Sequence, residues 1–190
     1  LVGAAVTIGA QSPSPGISAP DNTSFFGLTP QFAVSPDGQQ LVFVAAATGR
    51  SQMLWSRSLA TGVARALPGT EQASYPFWSA DSQSVGFFAS GKLKTLRVAS
   101  GGLAIVCDAP TGRGGTWNSS NVIVFASGIG DPLRKVMSAG GEPTVVTTVD
   151  VPRENSHRWP QFLPDGKHVL FWAGAGTAAV FTTSPSASPV

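Results

Sequence analysis

The feature that most constrains this chain is a turn that returns at a fixed period. Ser35-Pro36-Asp37-Gly38, followed by Leu41 and Phe43, recurs as Ser79-Ala80-Asp81-Ser82, followed by Val85 and Phe87. It returns as Leu163-Pro164-Asp165-Gly166, followed by Val169 and Phe171. The aspartates stand 44 and 84 residues apart, and the second gap is two periods of 42. Trp117-Asn118-Ser119-Ser120, with Ile123 and Phe125, fills the vacant place, one residue shorter and without the aspartate. Such a period marks an architecture whose units bury their apolar faces only against their neighbours.

Each copy reads as a hairpin. A short apolar segment (Phe77-Trp78, Trp117, Gln161-Phe162) meets a turn of Pro, Asp, Gly, Ser or Asn, and an alternating apolar strand follows. Third strands are expected at Met53 to Arg57, Leu93 to Val98 and Leu133 to Ser138, and fourth strands at Val63 to Leu67, Leu103 to Cys107 and Thr144 to Thr148. Four antiparallel strands every 40 to 45 residues or so is the period of a propeller blade. A β-sandwich has similar strands but does not need this repetition. The fold class is therefore all-β, a partial β-propeller of about 3.5–4 four-stranded antiparallel blades. Phe43, Phe87, Phe125 and Phe171 fall in equivalent second strands and are expected to pack between neighbouring blades. Trp78 and Trp117, beside the turn, are expected in the same core.

Composition agrees with this. Of 190 residues 42% are hydrophobic, enough for a sizeable core, and Gly 22 with Pro 15 supplies many turns. The first ten residues, 1–10, are apolar, uncharged and too short to span a bilayer. They read either as the end of a transmembrane helix or as a signal-peptide remnant, with an ordinary buried strand as the bland alternative. Residues 11–28, rich in Ser, Pro and Gly toward their start, read as a flexible linker, 29–183 as the partial propeller, and 184–190 as a disordered or truncated tail. Both membrane readings put the propeller on the extracytoplasmic, periplasmic side.

The Ser-Pro-Asp-Gly turn followed by an apolar-x-Phe strand resembles the WD-like repeats of TolB-type six-bladed propellers. Leu67-Pro68-Gly69-Thr70-Glu71, Tyr75-Pro76-Phe77-Trp78-Ser79, Gly86-Phe87-Phe88-Ala89, Gly112-Arg113-Gly114-Gly115-Thr116-Trp117-Asn118 and Ser156-His157-Arg158-Trp159-Pro160 are similar to the propeller region of bacterial eukaryotic-like serine/threonine kinases. The resemblance covers about residues 25 to 175. It implies a cytoplasmic kinase domain, one membrane helix and an extracytoplasmic propeller, with the kinase chemistry outside this chain. The runner-up is a soluble periplasmic TolB-like propeller that binds envelope proteins.

Nothing in the sequence assembles a reaction centre. A Gly-rich nucleotide loop with a following Lys, His-Arg-Asp, Asp-Phe-Gly and Gly-x-Ser-x-Gly are all missing. One cysteine, Cys107, excludes an internal disulfide and a Cys-rich zinc site. Asp37, Asp81 and Asp165 lie in separate turns, so they read as turn caps rather than a calcium cage. His157 and His168 lack a ligand cluster and read as surface or hydrogen-bonding residues. Twelve Lys and Arg against ten Asp and Glu, scattered, give no nucleic-acid tract. No catalytic residue, metal or cofactor is expected.

Strand alternation does mark one face. Connections between blades share it with the turns between second and third strands, while the aspartate turns lie opposite. It collects Glu71, Tyr75, Arg113, Glu154, Asn155, His157 and Arg158, the candidate loops for a protein or small-molecule partner, since exposed loops on a rigid scaffold are common places for function. The competing expectation is that Arg113 and Arg158 pair with carboxylates and hold blades together.

Overall fold

A computed structural model describes residues 18–25, 31–174 and 178–183. The expected anchor 1–10, most of the linker and the tail 184–190 lie outside the described residues. Among those described there are strands and turns and no helix.

Sixteen strands form four successive sheets. Blade I holds β1 (Thr23–Phe25), β2 (Phe32–Val34), β3 (Gln40–Ala47), β4 (Met53–Ser58) and β5 (Ala64–Ala66). Blade II holds β6 (Ser74–Trp78), β7 (Ser84–Ala89), β8 (Lys92–Arg97) and β9 (Gly102–Asp108). Blade III holds β10 (Gly115–Trp117), β11 (Val122–Ala126), β12 (Leu133–Met137) and β13 (Thr144–Val145). Blade IV holds β14 (Ser156–Phe162), β15 (Val169–Gly174) and β16 (Ala178–Thr183). Every pairing is antiparallel between sequence neighbours, apart from β1, which joins β3 along the same edge as β2. The fold is a partial β-propeller.

The repeated turn keeps one geometry in all four copies. Its fourth residue has a left-handed backbone, with φ 70° at Gly38, 60° at Ser82 and 64° at Gly166; in blade III the turn runs over 118–121, one residue later than the sequence copy beginning at Trp117, and Asn121 takes that place with φ 62°. The N–H of that residue donates to the carbonyl of the first, at 2.8 Å in Gly38 and 3.1 Å in Asn121. Asp37 and Asp81 each accept from the Ser hydroxyl two residues back at 2.5 Å and from the N–H two residues on at 3.0 Å. Asp165 accepts from the N–H groups of Lys167 and His168. In blade III the cap moves to Asn118, whose Oδ1 accepts from Ser120 and Val122. The Asn118 N–H closes onto Val122, four residues on, where Ser35, Ser79 and Leu163 close onto the fifth. That accounts for the shorter, aspartate-free copy.

The second-strand aromatics point toward the preceding blade. Phe87 packs between blades I and II with Val42, Val44, Leu54 and Trp78, and Phe125 between II and III with Phe77, Phe88 and Leu93. Phe171 packs between III and IV with Val124 and Leu133. Phe43 departs from the expectation. It is buried, but with Leu41, Ala45 and Trp55 of its own blade, and Phe25 covers it edge-on at 5.5 Å. No described blade precedes it. Among the described residues the first strand is Thr23–Phe25, inside the segment read as linker, and its Phe25 supplies this cover. The expected fourth strand at 144–148 stops at Val145, since Thr147 leaves the ladder and its hydroxyl accepts from the Leu133 N–H at 2.8 Å.

Candidate functional site

The four inner strands, β2, β6, β10 and β14, wall a concave cavity of about 930 Å³. Four residues before each turn stand Gln31, Tyr75, Gly114 and Trp159, the second and fourth within β6 and β14 and the other two just ahead of β2 and β10. The last three have left-handed backbones, with φ 48°, 99° and 51°. In β6 and β14 one extra residue sits against the partner strand there, a β-bulge that turns the side chain inward. The bulges are tied across blades. Tyr75 N–H donates to Gln31 Oε1 at 2.7 Å, and Trp159 N–H to the Arg113 carbonyl at 3.0 Å. Phe162 N–H donates to Thr116 Oγ1 at 3.1 Å, and the Trp78 indole to the Ala33 carbonyl at 2.9 Å. At Gly114 a Cβ would stand 3.1 Å from Trp159, so glycine leaves that ring its place.

The connections between blades gather a second group at the end of this cavity away from the aspartate turns. Arg113 donates from Nη1 to the Tyr75 hydroxyl at 2.9 Å and lies 5.8 Å from the centre of that ring. Arg158 lies 5.3 Å from the Trp172 ring, which meets Trp159 at 5.6 Å. Neither arginine pairs with a carboxylate among the described residues, contrary to the competing expectation. Each presents its cation to an aromatic face, an attraction worth roughly 0.5–2 kcal/mol. The Nε of each is buried without a hydrogen-bond partner there.

The other expected partner residues separate. Glu71 is exposed and accepts weakly from the Gly69 N–H, and Asn155 is exposed beside Ser156. His157 is not exposed: it is 2% accessible, with Nδ1 2.7 Å from Thr147 Oγ1 and Nε2 2.9 Å from Glu154 Oε2. Both ring nitrogens are occupied, and Phe171 lies against the ring. Glu154 also accepts from the Asp150 N–H, and these contacts, the His157 bond first, hold its carboxyl below the usual range. This pair therefore belongs to the framework of the blade III–IV connection. Burial and the nearby Asp108 and Glu142 push the Cys107 thiol up to about 11, which keeps it from being a nucleophile. Among the described residues no three His, Cys, Asp or Glu side chains cluster as metal ligands, and no helix is long and apolar enough to cross a membrane.

Sequence reasoning missed Gln31, Trp159 and Trp172. The first two share their place with Tyr75, and a signal was present: Tyr75-Pro76 and Trp159-Pro160 stand at the same distance before the turn. A residue before proline is steered out of the right-handed helical region. Trp172 had no such mark.

Neither a family model nor a curated protein matches this chain. Solved structures do match in fold. TolB from Acinetobacter baumannii superposes with a TM-score of 0.63 at 16% identity, over 85% of this chain and 44% of that one. A putative TolB from Agrobacterium tumefaciens gives 0.65 at 16%, over 77% and 55%. The Cps50 (Swd1) β-propeller domain from Myceliophteria thermophila gives 0.65 at 14%, over 87% and 54%. The chain spans about half the length of these proteins. At such identities the likeness concerns the fold, and the fold is that of a TolB-like β-propeller, four consecutive blades of which lie among the described residues.

Proposed function

We propose that the chain is a noncatalytic sensor or protein-interaction module that engages a protein partner through the face carrying its blade connections. The observation that carries this reading is the pairing of Arg113 with Tyr75, and of Arg158 with Trp172, whose ring also meets Trp159, beside the inner-strand bulges of blades II and IV. Tyr, Trp and Arg are the residue types that dominate binding energy at protein interfaces, and rigid backbone lowers the cost of presenting them. Trp159, half exposed, is the anchor. The opposite face offers mainly turn residues whose polar groups are satisfied internally.

A photo-crosslinking residue at Trp159, compared with one at Asp81 on the opposite face, tests this in an envelope fraction. Protein adducts are expected at Trp159 and not at Asp81; equal labelling, or labelling at Asp81 alone, overturns the reading.

The setting we propose is the extracytoplasmic side of a membrane-anchored bacterial serine/threonine kinase, supported by the stretches similar to that family and by the apolar residues 1–10. The second reading, a soluble periplasmic TolB-like propeller, is supported by the fold likeness. The gene upstream of Leu1 separates them. A kinase domain followed by about ten further apolar residues supports the first, and Met with a basic signal segment supports the second.

A further inference from the structure

One cation on the loop face is left with donors to spare. Arg113 stands on the connection between blades II and III, both of which are described, so its surroundings do not depend on the open ends of the arc. Its Nη1 donates to the Tyr75 hydroxyl at 2.9 Å, its Nε is buried with no partner, and its Nη2 makes no hydrogen bond among the described residues. The Tyr75 hydroxyl, having accepted that bond, keeps its own proton, for which no acceptor stands among the described residues. A hydroxyl that accepts from a cation is polarised into a stronger donor. Both side chains are partly exposed, and both are set on fixed backbone. Tyr75 has φ 48° and gives its N–H to Gln31 at 2.7 Å, while the Arg113 carbonyl takes the Trp159 N–H at 3.0 Å. Donors held in this way lose little freedom on binding. The carboxylates of the same face are engaged elsewhere. Asp108 pairs with Lys92, Asp150 with Arg153 and Glu154 with His157, and Asp131 accepts from the Ser127 hydroxyl. Arg113 forms no ion pair among the described residues. A planar guanidinium with a hydroxyl donor beside it matches the two oxygens of a carboxylate, one accepting from Nη2 and the other from Tyr75.

We infer that Arg113 and Tyr75 together hold a side-chain carboxylate of the protein partner, so that the segment docking on this face is acidic. This rests on the reading of the face as a protein-interaction surface and adds what that partner must present. Arg158, on the last described blade, is not required for it.

Tyr75 is the single tyrosine, so a chain carrying isotope-labelled tyrosine gives one ring signal in magnetic resonance, which reports on this site alone. The probes are the end-blocked tripeptides Gly-Glu-Gly and Gly-Gln-Gly, and inorganic phosphate. The glutamate peptide is expected to move the Tyr75 signal saturably, at least about tenfold more tightly than the glutamine peptide, and less tightly as salt is raised. Arg113→Gln is expected to abolish that shift, and Arg113→Lys, which keeps the charge without the fork, to weaken binding about threefold. In the photo-crosslinking assay at Trp159, Arg113→Gln is expected to lower the yield of protein adducts at least about threefold. No saturable shift with the glutamate peptide, equal binding of the two peptides, tighter binding of phosphate, or a shift that survives Arg113→Gln overturns the inference. So does an adduct yield that Arg113→Gln leaves unchanged, in which case the loop-face reading stands without the carboxylate contact. Failure of the unaltered chain to give adducts at Trp159 removes that reading, and this inference with it.

Discussion

Asp81 shows how much one exposed carboxylate can set. It accepts from the Ser79 hydroxyl and the Gln83 N–H, and these bonds, with the hydroxyl first, hold its pKa below the ordinary value; Asp37 is held down in the same way by Ser35 and Gln39. Asp165 is lowered further, by the backbone and side chain of His168. A carboxyl depressed in the folded state stabilises it above the unfolded pKa, near 3.8, and that contribution is lost as pH falls through the folded value. Acid unfolding is therefore expected to steepen below about pH 4. Asp81→Asn should flatten that part of a urea-midpoint profile while leaving the neutral-pH fold in place; an unchanged acid slope counts against the turn as its source. Packing is equally local at Phe77. Its ring fills the space of two absent side chains, since a Cβ would stand 2.3 Å from it at Gly86 and 2.5 Å at Gly115. Gly86→Ala should cost about 1–3 kcal/mol of unfolding free energy, and a neutral result in urea titration would mean that the ring has room to move.

At the scale of elements, the hairpin joining β7 to β8 has Ser90 and Gly91 both left-handed, at φ 54° and 73°. That is a type I′ turn, which suits right-twisted strands and prefers Asn-Gly. Ser90→Asn is expected to stabilise by about 0.5 kcal/mol, read as a rise in melting temperature; a fall would mean that the Ser90 hydroxyl contact with Gln72 matters more than backbone strain. The second strands share a sequence pattern but not a structural situation. Phe125 bridges two blades, and its truncation to Ala should cost about 3–5 kcal/mol. Phe43 faces no described blade, so Phe43→Ala should cost less. Equal costs in the same denaturation assay would mean that blade–blade contact adds nothing to burial within a blade.

For the whole molecule the consequence lies in the two end faces. Val34 occupies the position of Trp78, Trp117 and Phe162, each packed toward the preceding blade, yet Val34 is 51% exposed. At the other end, blade IV has three strands among the described residues. Propellers normally protect both surfaces by closing the ring, and at about 42 residues a blade six blades need roughly 250 residues. Exposed apolar sheet faces favour association. The isolated chain is expected to self-associate with concentration in sedimentation, Val34→Lys to reduce this, and a chain extended to six blades to melt higher. A compact monomer with no gain on extension would show that four blades suffice.

The sequence by itself determined the blade. Turn residues at a fixed period, alternating strands and a second-strand phenylalanine are local signals, and local sterics and hydrogen bonding at Asp37, Asp81 and Asp165 realise them. Even the degenerate copy was legible, although the move of its cap to Asn118 was not. Of the candidate partner residues, strand alternation placed Tyr75, Arg113 and Arg158 at one end of the blades, but it said nothing of whether a side chain there is exposed or spoken for. Only the tertiary structure decided that His157 is enclosed by Thr147, Glu154 and Phe171, that both arginines meet aromatic rings instead of carboxylates, and that Trp159 faces the axis. Arg113 meets Tyr75, and Trp159 the Arg113 carbonyl, only because one blade stands against the next, while Arg158 meets Trp172 across two strands of blade IV whose register a bulge shifts; turn periodicity carries neither piece of information.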